Sequence, residues 1–261
     1  MSNNNQQVSK QDFKYLIQLL SCALTGNQTP KPNDDINWAS VFYAACKHSV
    51  AGMAYWAISK LPKDQAPPED ILAEFLNAYR AELVTESNVE YESEKLFTLF
   101  ANNSIRFMPL KGYVIKNHYP VPSMRTMSDV DILYKTEDKE KIISVMQLAG
   151  YTLKSDTIEQ IDFKKAPFHH YELHSSLLRE SNKNHDYFSK VWERAQFSED
   201  APCRAFMKPE DFYIYLLEHM ALHIEAGGAG IRMVMDVFVY KNALGSTFDK
   251  TYLEAFFLGK V

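Results

Sequence analysis

Cysteine is scarce and scattered. The three residues, Cys22, Cys46 and Cys203, are odd in number and far apart. That excludes a disulfide framework and a cysteine-based zinc spacing, and fits a reducing cytoplasm. No apolar run reaches the length of a membrane span. The start, Met1 to Gln7, is polar and Asn/Gln-rich, without the basic-then-apolar pattern of a signal peptide; it reads as a disordered tail. Excess positive charge is also missing. Lys and Arg number 28 against 33 Asp and Glu, a net charge of −5, which argues against stable binding of long nucleic acid while leaving room for a local basic groove. No internal repeat is visible. Gly227 to Gly230 lacks the Gly-x-Gly-x-x-Gly spacing after a strand, so it reads as a flexible turn rather than a dinucleotide loop.

What remains is an ordinary globular composition over 261 residues, long enough for one or two domains. Apolar periodicity predicts a helix over 9–26 with Gly26 as its stop, a loop over 29–35, one or two helices over 37–60 and a loop over 62–68. A long amphipathic pattern then covers 69–102. The texture changes near Ser104. Ile105 to Leu110 reads as a strand that ends at Lys111-Gly112, followed by a short helix over 113–118 and a loop over 119–127. Thr136 is an N-cap candidate for a helix running to Ala149, with Gly150 at its end. Residues 151–154, 158–163 and 168–173 read as strands. Helical pattern returns from Pro209 through Leu222 and again from Ile231 to Leu244. The expected organisation is a helical region over 1–103, a mixed core over 104–200 and a C-terminal helical region over 201–261. The chain end follows an amphipathic segment, an expected truncation within a longer helical region.

The chemistry concentrates at Ser128-Asp129-Val130-Asp131-Ile132-Leu133-Tyr134. Strand side chains alternate, so Asp129 and Asp131 share a face, ~6.6–7 Å apart along the strand, while Val130 and Ile132 face a core. Two like charges side by side repel, and a divalent cation with oxygen ligands removes the repulsion. Lys111-Gly112 offers a cation and a backbone that a phosphate can approach. Arg125 offers a bidentate phosphate contact. Glu172 in His170-Tyr171-Glu172-Leu173-His174 is the best third carboxylate on an adjacent strand, with His170 and His174 on its face.

At Leu110-Lys111-Gly112, Arg125-Thr-Met-Ser-Asp129-Val-Asp131 and Glu172-Leu-His174 the chain resembles the nucleotidyltransferase superfamily of the DNA polymerase β type. It looks closest to a bacterial branch bearing these three elements. The resemblance implies an α+β fold, a small mixed sheet flanked by helices, with N- and C-terminal helical regions. It implies Mg²⁺ (or Mn²⁺) held by Asp129 and Asp131, with Glu172 completing the metal and catalytic set. It implies a nucleoside triphosphate such as ATP, contacted by Lys111, Gly112, Tyr113, Arg125 and Ser128. The expected activity is transfer of a nucleoside monophosphate to an acceptor, with release of pyrophosphate, in the cytoplasm. The acceptor stays open between a small molecule, an RNA end and a protein. Gly112-Tyr113 replaces the Gly-Ser of the wider superfamily, which keeps open a binding module without catalysis. His219 and His223, one helical turn apart, keep open a metal-dependent hydrolase. Met220 stands where the zinc-protease pattern needs Glu, so these histidines read rather as packing near the site, with His170 and His174. Arg232 and Asp236, spaced i, i+4, read as a pair on their own helix.

Overall fold

Capping residues and apolar spacing set the first helices. In this computed structural model, which describes residues 8–167 and 169–259, α1 (Lys10–Thr25) starts at Ser9, whose hydroxyl accepts from the Asp12 N–H at 3.0 Å. It stops at Gly26 with φ +72°. Helices α2 (Trp38–Lys47) and α3 (Ala51–Ile58) follow, then α4 (Glu69–Asn102), one uninterrupted helix. The tail expected at residues 1–7, Phe168 at the start of its strand, and the chain end at Lys260 and Val261 lie outside the described residues.

The chain divides into two compact units that are not contiguous in sequence. One comprises residues up to 87 with 116–126 and 230–235; the other comprises 88–115, 127–229 and 236 onward. In the first unit Leu16, Leu19, Val41, Met53, Ala54 and Phe75 are fully buried. Helices α3 and α4 approach closely at Gly52. A Cβ there would fall 2.8 Å from the Tyr79 Cα and 2.0 Å from Glu82 Oε2. The Gly52 N–H donates to Glu82 Oε1 at 3.0 Å. Burial pushes the Glu82 carboxyl up to about 7, against the opposing pull of that N–H and of Arg232. Lys116, buried, pairs with Glu86 at 3.0 Å.

The second unit contains the whole sheet. Its strands are β1 (Phe107–Pro109), β2 (Val130–Tyr134), β3 (Thr152–Asp156), β4 (Gln160–Lys165), β5 (His169–His174), β6 (Gln196–Ser198) and β7 (Ala201–Phe206). They lie in the order β3-β4-β5-β2-β1-β7-β6. Strand β2 runs parallel to β5 and antiparallel to β1, and β1 runs parallel to β7. The mixed sheet with flanking helices is the fold class expected from the motifs. Helices α5 (Lys111–Ile115), α6 (Lys139–Leu148), α7 (His185–Ser189), α8 (Val191–Arg194), α9 (Pro209–Glu225), α10 (Ile231–Leu244) and α11 (Lys250–Phe257) complete the chain.

Strand alternation builds the core. Val130, Ile132 and Tyr134 on β2, Ile161 and Phe163 on β4, and Tyr171 and Leu173 on β5 bury against Val89, Leu96, Phe97 and Phe100 of α4 and Ile142 and Met146 of α6. Phe97 stacks on Phe107 at 4.8 Å between centroids. Each such fully buried aromatic contributes roughly 1.5–3 kcal/mol of transfer free energy.

Several details differ from the sequence reading. Strand β1 ends at Pro109 and α5 already starts at Lys111, two residues before the helix expected over 113–118. Strand β2 begins at Val130, so Asp129 precedes the strand instead of lying in it. Thr136 opens a 3₁₀ turn over Thr136–Asp138, and the α-helix starts only at Lys139. The first turn is tightened because the Asp138 N–H bonds to the Lys135 carbonyl at 2.8 Å. Strands β6 and β7 carry no clean alternation, and Pro202 stands inside β7; pairing of β7 with β1 and of β6 with β7 makes them strands despite that pattern.

Candidate active site

The site grows from the pairing of two strands. In the parallel β2–β5 ladder, Asp131 faces Glu172 and Leu133 faces His174. Because side chains alternate, the strand that buries Tyr171 and Leu173 turns His170, Glu172 and His174 to the opposite face. Strand β1 brings the third element. The Leu110 N–H bonds to the Asp131 carbonyl at 2.9 Å, which sets Lys111 beside Asp131. Lys111 adopts φ +42°, an uncommon backbone state for a side-chain-bearing residue.

Asp131 is the electrostatic centre. It is 6% exposed, and its Oδ1 accepts from Lys111 Nζ at 2.6 Å and meets His174 Nε2 at 2.8 Å. Burial alone would raise its pKa, but the His174 bond and the Lys111 charge outweigh it and hold the carboxyl well below the ordinary range. Burial likewise works against the charge on Lys111; the Tyr215 hydroxyl, Asp131 and Glu172 outweigh it and hold the ammonium above its usual pKa. Glu172 is the opposite case. Burial, then the charges of Asp129 and Asp131, push its carboxyl up.

Two three-residue sets could hold a cation. Asp129, His170 and Glu172 bring one ligand atom each within 4.8 Å of one another, and so do Asp131, Glu172 and His174. Glu172 belongs to both. Carboxylate oxygens dominate each set and suit Mg²⁺ or Mn²⁺, and the single imidazole in each leans toward Mn²⁺. The Lys111 ammonium on Asp131 Oδ1 is a stand-in for such a charge.

The other residues singled out in the sequence fall in different places. The Ser128 hydroxyl donates to Asp129 at 3.2 Å. Gly112 is buried within α5. Tyr113 is built into the core, edge-on to Phe97 at 5.1 Å, and its hydroxyl donates to Glu94 at 2.8 Å. Its side chain is therefore committed to packing. Arg125 and Arg232 belong to the first compact unit, whereas Asp236 belongs to the second and is buried. The Arg125 guanidinium donates to the Thr126 carbonyl, and Arg232 donates to the same carbonyl at 2.9 Å. His219 and His223 touch edge to face, 4.6 Å between centroids. Neither enters a three-ligand set among the described residues. Burial, then Lys111 and His223, push the His219 imidazole down to about 3, so it is neutral.

Sequence reasoning missed Tyr215 and Glu218. With His219 they form the face of α9 that lines a cleft of about 890 Å³, whose other walls include Lys111, Glu172 and His174. The i, i+3, i+4 spacing of Tyr215, Glu218 and His219 was the available signal, hidden in a helix that otherwise reads as core.

Solved structures of low sequence identity resemble the chain. One is the antibiotic-resistance factor ANT(2″)-Ia in solution, at 8% identity and TM-score 0.49, covering 67% of this chain and 94% of that one. A second is ANT(2″)-Ia in complex with adenylyl-2″-tobramycin, at 9% and 0.45, covering 67% and 99%. A third is the lincomycin-bound lincosamide antibiotic adenylyltransferase LnuA, at 16% and 0.43, covering 59% and 97%. No curated protein matches the sequence. The model of the family described as uncharacterised nucleotidyltransferase matches residues 34–256, a stretch that holds the Lys-Gly, Asp-x-Asp and Glu-x-His elements and every strand of the sheet, and the chain belongs to that family.

Proposed function

We propose that the protein is a Mg²⁺- or Mn²⁺-dependent nucleotidyltransferase that moves a nucleoside monophosphate from a nucleoside triphosphate such as ATP to an acceptor and releases pyrophosphate. The observation that carries this reading is the cross-strand pairing of Asp131 with Glu172, which makes Glu172 common to both candidate cation sets. Asp129, Asp131 and Glu172, with His170 and His174, would hold the cation. A divalent cation in such a site neutralises triphosphate charge and polarises the phosphorus under attack.

The chain's own groups have separate tasks. Lys111 holds Asp131 ionised and lies within reach of phosphate oxygens. Gly112 presents backbone without a side chain, and Ser128 orients Asp129. Glu172, the carboxylate opposite Asp131 on the neighbouring strand, is the group suited to take the acceptor's proton. In this reading residues 104–200 form the catalytic core, with helical regions at 1–103 and 201–261 on either side of it in the sequence. No helix among the described residues is long and apolar enough to cross a membrane, and the proposed location is the cytoplasm, where nucleoside triphosphates are plentiful.

Calorimetric titration of ATP, GTP, CTP and UTP with Mg²⁺ tests the reading. Wild type is expected to bind at least one of them only when the cation is present. The paired substitutions Asp129→Asn and Asp131→Asn are expected to abolish that binding. Equal binding by the double variant overturns the reading. The burial of Tyr113 where the superfamily has Ser favours a second reading, nucleotide binding without turnover. Pyrophosphate release in the presence of an acceptor excludes it.

A further inference from the structure

The cleft beside the carboxylates has a definite side. Among the described residues that line it are Glu172, His174 and Lys111, but not Gly112, Ser128 or Asp129. It therefore opens on Glu172 and shares only Lys111 with the elements assigned to the triphosphate. Its volume, about 890 Å³, lies in the range of small-molecule sites, ~300–1,000 Å³. A duplex or a folded protein surface does not enter such a space.

Its charges are unevenly matched. Lys111 is engaged by Asp131 at 2.6 Å and Arg179 by Glu159 at 3.2 Å, while Lys183, next to Asn184, also lines the cleft and forms no ion pair with Glu218. Glu218, half-buried on the α9 wall, accepts from the Asn184 side-chain amide at 2.7 Å. Among the described residues no lysine or arginine pairs with it. Asn184 fixes the Glu218 carboxylate without neutralising it. A fixed, unneutralised carboxylate on the wall of a small cleft recognises a cation. His219, next to Glu218 on the same face, adds a neutral imidazole for a hydroxyl.

We propose that this cleft is the acceptor site, and that the acceptor is a small polyhydroxylated molecule carrying an ammonium group, with the ammonium on Glu218 and the reacting hydroxyl beside Glu172. This rests on the nucleotidyltransferase reading. In the transfer the hydroxyl oxygen forms a bond to the α-phosphorus, and the bond from that phosphorus to the oxygen bridging to the β-phosphate breaks. Pyrophosphate leaves with the electron pair, and the hydroxyl proton passes to the Glu172 carboxylate.

Three sugars of one shape and graded charge serve as probes: glucosamine, glucose and glucuronate. Their binding to the full chain with Mg²⁺ and a non-hydrolysable ATP analogue is followed by ligand-observed NMR. Glucosamine is expected to bind at least about tenfold more tightly than glucuronate, a difference of about 1.4 kcal/mol, with glucose between them. In Glu218→Gln, which keeps an oxygen for Asn184, the order is expected to collapse to within about twofold. Glu225→Gln, an exposed glutamate at the cleft mouth, is a second variant expected to weaken the preference partially. Thermal melts confirm that both variants fold. Equal binding of the three sugars, binding of none, or a preference for glucuronate overturns the proposal. So does nucleotidylation of an RNA or protein without sugar discrimination. Cation-dependent triphosphate binding on the same samples separates the two levels. If it persists while sugar discrimination fails, the acceptor class is wrong and the transferase reading stands. If triphosphate binding itself is missing, the transferase reading falls and the acceptor assignment falls with it.

Discussion

Lys111 Nζ lies 2.6 Å from Asp131 Oδ1, the oxygen that also meets His174 Nε2 at 2.8 Å. A nearly buried carboxylate is thus held ionised by one full charge and one imidazole. Asp131 also belongs to a set that could hold a cation.

Lys111→Met tests this relationship. Removing one partner of a buried pair costs about 3–5 kcal/mol. For a chain of this size, at about 2 °C per kcal/mol, that corresponds to a fall in melting temperature of about 6–10 °C. Mg²⁺ or Mn²⁺ should restore part of the loss, and more in the variant than in wild type, because it stabilises only the folded chain. Differential scanning fluorimetry with and without the cation measures both effects. An unchanged melting temperature would falsify the role given to Lys111.

Glu82 supplies a pH dependence remote from the chemistry. Its carboxyl is raised to about 7 by burial in the fold, against about 4.3 in an unfolded chain. The folded state therefore binds the proton more tightly, and its stability falls as pH rises from about 4.3 through about 7. Glu82→Gln keeps an acceptor for the Gly52 N–H and removes the titration. Its melting temperature should exceed that of wild type at pH 8 and not at pH 5. Parallel melting curves of the two proteins across that range contradict the assignment.

Tyr113 separates packing from phosphate binding. Tyr113→Phe loses the hydrogen bond to Glu94, a cost of about 1 kcal/mol, and keeps the ring against Phe97. Triphosphate affinity should stay within about twofold of wild type, a change below about 0.4 kcal/mol. A tenfold loss in calorimetry shows instead that the hydroxyl reaches the nucleotide.

Much of this was legible in the residues because strand alternation is a strict rule. Val130 and Ile132 against Asp131, and Tyr171 and Leu173 against Glu172, announce both the buried face and the acidic one. The pairing of β2 with β5 was not readable in either strand; register is a tertiary property, and it is what brings Asp131 opposite Glu172. The helix stop at Gly26 was legible because it is local. Strands β6 and β7 were not, since their pattern is irregular and their pairing, β7 on β1 and β6 on β7, is tertiary. Tyr215 and Glu218 escaped notice because they acquire meaning only once a cleft places them near Glu172.

The central claim is that Asp131 and its neighbours form a cation-dependent nucleotide site. Its most direct measurement is triphosphate affinity by calorimetry, with Mg²⁺ and with chelator, for wild type and Asp131→Asn. The account predicts binding by wild type with Mg²⁺ that weakens at least about tenfold, about 1.4 kcal/mol, on chelation and again in the variant. Equal affinity in all four conditions contradicts it.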